Sequence, residues 1–302
     1  MRLAVRFCGL LVLILVASEV SAQNSSASLL GPYFGQTLPG AVPVLFAPGI
    51  VSARGSLETS VAVGPDGREI YFTRGSRSGN RVMVSRLTVS GWTEPEEAPF
   101  SRGYDSMEPA FAADGRRLYF VSERPAPGSR GPEPRTWMVE RTAAGGWSEP
   151  RFHGSVMSVS STRSGNLYAL SFRGPRGLVV VPRMASGEYG ALRPVLEAAA
   201  SRCGGGHPAV APDESYILSE VRQPDGRERH ALQACFRRPD GTWSAPQYLG
   251  DVLDTPGGQW IPTISADGSF IFFTCGEDDV YWVSARVLDG PRARALAQPG
   301  SR

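Results

Sequence analysis

Three histidines, His153, His207 and His230, are the side chains best suited to move a proton near neutral pH or to ligate a metal. None lies in an H-x-H or H-E-x-x-H pattern, so the sequence carries no preformed metal motif, and neither a metal nor a cofactor is expected. No G-x-S-x-G elbow is present, and the GGGH run at 204–207 lacks a nucleophile to serve. All 31 basic residues are arginine. The absence of lysine excludes Schiff-base chemistry, pyridoxal phosphate enzymes, the P-loop lysine and any Ser-Lys dyad. Glu277, Asp278 and Asp279 form a short acidic run that reads as a solvated loop. No catalytic residue is assigned.

What such residues can do depends on the elements that hold them, and here the elements repeat. Five segments share an alternating apolar strand, a tight turn and a second strand rich in aromatics: SVAVGPDGREIYFTR from Ser60, EPAFAADGRRLYFVS from Glu108, SVSSTRSGNLYALS from Ser158, HPAVAPDESYILSE from His207 and IPTISADGSFIFFTC from Ile261. Aligned on the turn, they place Asp66, Asp114, Ser164, Asp213 and Asp267 at spacings of 48, 50, 49 and 54. An Asp or Ser side chain bonds the turn backbone, and a following Gly tolerates positive φ, so each unit is a β-hairpin. Recurrence at one structural position makes these carboxylates turn residues rather than calcium ligands or acid pairs.

A third strand follows each hairpin, at VMVSRL, TWMVERT, LVVVPRM, HALQACF and DVYWVSARV. A fourth is expected around GWTEP, GWSEP, EYGALRP and TWSAP, where Trp92, Trp147 and Trp243 serve packing and Tyr189 replaces the tryptophan. The fifth unit lacks its own fourth strand, and AVPVLFAPG at 41–49 has the character to supply it. The expected fold is therefore all-β. It is a single β-propeller of five four-stranded blades, with six the alternative count, closed by an N-terminal strand that completes the last blade. Closure removes the sheet edges that an open array would expose.

The segments EPAFAADGRRLYFVS, HPAVAPDESYILSE and IPTISADGSFIFFTC resemble the TolB-type, WD-like β-propeller repeat of exported bacterial proteins. The W-S-x-P elements at Trp147 and Trp243 fit the fourth strand of that family. The resemblance spans residues 41–287 and implies a propeller of the bacterial envelope. No separate α/β domain precedes the repeats, which sets the chain apart from TolB itself.

Arg2 and Arg6, the apolar run LLVLILVA and the small residues Val20, Ser21 and Ala22 read as a secretory signal cleaved after residue 22. The apolar run is too short to span a bilayer. The expected layout is thus a signal peptide at 1–22, an extension at 23–40, the propeller at 41–288 and a flexible tail at 289–302. Periplasmic or secreted localisation follows, with no membrane span. A formal charge of +2 gives no case for nucleic acid, and a monomer is expected. Export leaves Cys203, Cys235 and Cys275 where disulfides persist. The strand directions favour a Cys203–Cys275 bridge with Cys235 a free thiol, the alternative being three reduced packing residues.

In a propeller, the loops that open each first strand gather on one face around the central channel. Glu58, Glu108, His207 and Trp260 fall beside the starts of innermost strands and are the candidate ligand-binding residues of the channel mouth. The preferred reading is a non-catalytic binding module that meets an envelope protein or small ligand at this loop face. The alternative is a propeller glycosidase or lyase acting on extracellular carbohydrate, with Glu58 and Glu108 as its acids.

Overall fold

A computed structural model describes residues 30–298, apart from 54, 130, 196–201, 223–229, 254, 256 and 277–278. The signal segment at 1–22, residues 277–278 of the acidic run and the last four residues lie outside the described residues. The described chain forms five antiparallel four-stranded blades in a ring. Their first strands are Leu57–Val63, Ser106–Phe111, Val156–Ser161, Gly206–Val210 and Gln259–Ile264. Their second strands are Glu69–Ser76, Arg117–Ser122, Leu167–Ser171, Tyr216–Arg222 and Phe270–Cys275.

The turn chemistry acts as the repeat requires. Asp66, Asp114, Asp213 and Asp267 each accept the N–H two residues ahead at 2.9–3.0 Å. Gly67, Gly115, Gly165 and Gly268 follow in the left-handed region. Blade four departs from the rule, because Glu214 takes that position at φ 59°. Its carboxylate accepts hydrogen bonds from Thr162, Ser164, Asn166 and Tyr168 in the neighbouring turn. Blade four thus supplies a carboxylate to the one turn whose own acid is replaced by Ser164.

Within each second strand, alternate residues face opposite neighbouring blades, as the period of two demands. Ile70 and Phe72 pack toward blade five while Tyr71 packs toward blade two. The core is therefore five wedges of side chains between blades rather than one central mass.

The ring closes through the N-terminal segment. Val44–Leu45 pairs with the third strand of blade five, Asp279–Ser284, in the register Val44↔Trp282 and Leu45↔Tyr281. Phe46 continues the ladder by donating its N–H to the Val280 carbonyl at 2.8 Å. Its ring enters a fully buried aromatic cluster with Phe34, Phe272 and Trp282. Residues 30–40, expected as an extension, contribute Phe34 to that cluster.

Two expectations need correction. In blades two and four the W-S-x-P elements are not the fourth strand. Trp147 and Trp243 meet Arg141 and Arg237 in isolated β-bridges, and the strands proper are Arg151–Gly154 and Gln247–Tyr248. Pro150 and Pro246 stand between, and proline has no N–H for the ladder. At the other terminus, Asp289–Ala297, expected as flexible tail, forms a helix, α1. Ala295 is buried against the wedge between blades four and five, and Arg292 donates to the Ser215 hydroxyl at 2.9 Å.

The disulfide also differs from expectation. Cys203 bonds Cys235, with Cα atoms 6.0 Å apart, and Cys275 is the buried free thiol. The strand directions stand, since Cys235 pairs opposite Ile217 at the turn end of blade four. What failed was the assumption that Cys203 stays on the loop face. It is fully buried in the wedge between blades three and four, beside Tyr168, Ile217 and Cys235. Cys275 points into the next wedge, between blades four and five, so the sheet of blade four separates it from Cys203.

Candidate functional site

Every first strand carries a bulge at the same place. The register slips between Thr59 and Ala62, Met107 and Ala110, Met157 and Ser160, Gly206 and Ala209, and Trp260 and Thr263. At each slip one non-glycine residue adopts φ between 42° and 53°: Ser60, Glu108, Ser158, His207 and Ile261. Such a conformation costs on the order of 1–3 kcal/mol per residue and persists only where surroundings enforce it. The bulge re-aims the side chain and frees the backbone N–H from the ladder. Neighbouring blades collect those donors. Thr73 Oγ1 accepts from the Glu108 N–H at 3.0 Å, Glu108 Oε2 from the Ser158 N–H at 2.8 Å, and Glu220 Oε1 from the Ile261 N–H at 2.7 Å.

The five residues ring the central channel. Across part of the ring runs a charged chain. Glu108 of blade two receives the Ser158 hydroxyl at 3.2 Å and faces His207 Nε2 of blade four at 3.4 Å. His207 Nδ1 contacts Glu220 Oε1 at 2.7 Å, and His230 Nδ1 lies 3.4 Å from Glu220 Oε2. Glu108 and Glu220 are both buried. Burial by itself lowers the His207 pKa, but the hydrogen bonds and charges of the two carboxylates outweigh it and push it up to about 10. Burial likewise raises Glu220, and the His207 contact overturns that, holding the carboxyl below its usual range.

The channel beside this chain has a volume of about 80 Å³. Small-molecule pockets run from roughly 300 Å³ upward, so this space admits water or one short side chain. The carboxylates and the imidazole are turned on one another, while the Ser60 hydroxyl has no hydrogen-bond partner among the described residues. The arrangement ties blades two, three, four and five together.

Of the four sequence candidates, Glu108 and His207 line this channel together and Glu58 and Trp260 do not. The Glu58 side chain is fully buried and held by Arg74 at 2.7 Å, Ser56 at 2.8 Å and the Ala53 N–H at 3.4 Å. Burial pushes its pKa up against those bonds. Trp260 is half-buried and donates its indole N–H to the Gly276 carbonyl at 3.1 Å. Ser158, Ser60 and Ile261 were missed as channel residues, and Glu220 as the partner of His207. A signal existed: each bulge residue lies six positions before its blade's turn residue. Glu220 carried no such mark, because its partner His207 is found only once the hairpin is folded. Among the described residues no cluster of His, Cys, Asp and Glu has the geometry to hold a metal ion.

A pH dependence follows from His207. Its unfolded pKa is about 6.5, so its stabilising contribution is complete below that value and is lost as pH rises to about 10. The side chain is 32% exposed, so solvent screens part of the attraction and the slope stays below its unscreened limit. We expect the melting temperature to fall between pH 6.5 and 10, and to fall less steeply in His207→Gln. Equal slopes in the two proteins, measured by calorimetry, would contradict the charged lock.

No protein-family model and no curated protein sequence matches the chain. Solved structures similar to it include a putative TolB from Agrobacterium tumefaciens, at 16% identity and TM-score 0.44, covering 72% of this chain and 69% of that one. The catalytic domain of a GH62 α-L-arabinofuranosidase from Coprinopsis cinerea matches at 12% identity and TM-score 0.47, covering 81% and 98% of the two chains. A gluconolactonase from Xanthomonas campestris matches at 12% identity and TM-score 0.42, covering 84% and 99%. TolB and enzymes alike thus stand among the structures similar to this propeller, and a shared architecture assigns no chemistry.

Proposed function

We propose that the protein is an exported, non-catalytic propeller that binds a protein partner of the bacterial envelope on the face where its first strands begin. One observation carries the reading: the acids and the imidazole of the channel are spent on each other and on backbone donors. A glycosidase needs two carboxyls with a substrate bond between them. Here the space between Glu108 and Glu220 is filled by the His207 ring, which argues against the carbohydrate-enzyme alternative.

The loop face offers contact groups of the kind protein interfaces use. Tyr104, in the loop before blade two, is 42% exposed, and Phe172, just past the second strand of blade three, is 56% exposed. Arg124 stacks on the Tyr104 ring at 4.9 Å, and half-buried Trp260 lies at the start of blade five. Tyr, Trp and Arg anchors of this type dominate binding energy at interfaces. Among the described residues no helix is long and apolar enough to cross a membrane. The secretory signal expected at 1–22 and the resemblance to envelope propeller repeats support this compartment.

A photo-crosslinking residue at position 104 or 172 should give one discrete adduct in envelope extracts. The same residue at Val89, at the end of blade one's third strand on the opposite side of the ring, should give none. Equal adducts at all three positions, or turnover of an arabinoside or lactone by purified protein, would overturn the proposal.

A further inference from the structure

The wedge between blades two and three has a hole in it. In the second strands, the residue after the one paired just past the bulge is Phe72, Phe120, Ser219 and Phe273 in blades one, two, four and five, and the three phenylalanines are buried against the preceding blade. Blade three has Ala169 there. Around Ala169 lies a partly open cavity of about 360 Å³, walled by Val156, Leu167, Val181 and Leu192. An unfilled apolar cavity forfeits the contacts its lining atoms would otherwise make, so an occupant of matching shape is favoured. Apolar cavities of smaller size stay dry and take up benzene-like molecules. The volume here lies within the range of small-molecule sites.

The polar groups around the cavity narrow the choice of occupant. Arg173 at its edge is already paired with Glu133 at 2.8 Å, and Ser171 donates to the Arg173 carbonyl at 2.7 Å. Tyr189 shares hydrogen-bonding contacts with Tyr119 at 3.1 Å and Arg117 at 3.3 Å. His153 is different. Its ring is fixed between Tyr119, 4.9 Å away, and Tyr189, 5.7 Å away and nearly perpendicular. Neither of its nitrogens has a hydrogen-bond partner among the described residues. Burial, reinforced by the charge on Arg117, holds its pKa below the usual histidine range, so the imidazole is neutral. A neutral imidazole offers one donor or acceptor and no charge.

We propose that this inter-blade cavity is a binding site for an uncharged small aromatic molecule bearing one hydroxyl, a phenol. Its ring occupies the place of the missing phenylalanine and its hydroxyl bonds His153. The site shares only the wall residue Val159 with the channel, and its lining includes neither Tyr104 nor Trp260, though Ser171 and Arg173 of that lining flank Phe172.

Titration calorimetry of the whole protein with p-cresol, toluene and benzoate tests the assignment. We expect saturable p-cresol binding and benzoate binding at least tenfold weaker. Ala169→Phe should abolish p-cresol binding and raise the melting temperature, and Ala169→Leu should do the same to a smaller degree. His153→Leu should weaken p-cresol about fivefold, the worth of one hydrogen bond, while leaving toluene unchanged. Absence of saturable p-cresol binding, retention of it in both filled variants, or benzoate binding as tight as p-cresol would each overturn the proposal.

Discussion

Deleting residues 41–49 should leave a protein that aggregates or fails to fold, because that segment closes the ring. The deletion removes the Val44↔Trp282 and Leu45↔Tyr281 pairs and the Phe46 N–H bond to Val280. It also empties the site of Phe46, fully buried against Phe34, Phe272 and Trp282. The third strand of blade five would become a bare edge, a template for pairing with another chain. Removing one buried phenylalanine side chain alone costs about 3–5 kcal/mol, and a domain has only about 5–15 kcal/mol to lose. The milder Phe46→Ala should remain folded with a clearly lowered melting temperature. Light scattering and calorimetry decide the matter: a deletion variant that stays monomeric with an unchanged transition would mean the ring does not depend on this strand.

Reducing the Cys203–Cys235 bridge should have the next largest effect. The bond closes a loop with a sequence separation of 32, for which chain entropy suggests about 4 kcal/mol. For a protein of this size that corresponds to a melting temperature lower by on the order of 10 °C. Cys203→Ala together with Cys235→Ala should reproduce the loss and abolish any further effect of reductant. Cys275→Ala should leave the reductant effect intact, since that thiol lies in the next wedge. Peptide mapping without reduction should recover Cys203 linked to Cys235. A peptide joining Cys275 to either one would refute the pairing.

The repeat was legible because turns and strand alternation are local. Asp-Gly at Asp66, Asp114 and Asp267 specifies a hairpin from a few neighbouring atoms, and the period of two assigns each strand residue to one of two sides. Counting the hairpins and noticing the missing fourth strand of the last unit was enough to yield the five-bladed ring and its closure by residues 41–49. The replacement of an aromatic by Ala169 was also visible, although what it leaves behind was not.

Tertiary structure alone decided which side chains meet. Glu108 and His207 lie 99 positions apart and are joined across blade three by bulges that turn both into the channel. Glu58 had the same strand-start signature as Glu108, yet two positions before the bulge its side chain meets Arg74 instead of the channel. The sulfur pairing turned on the burial of Cys203 between blades three and four. Parity along the strand tells which side of a sheet a residue faces but not which loop enters the space beside it. Bulge placement, loop insertion and the approach of distant charges are set by packing between blades, and those contacts have no local sequence period from which to read them.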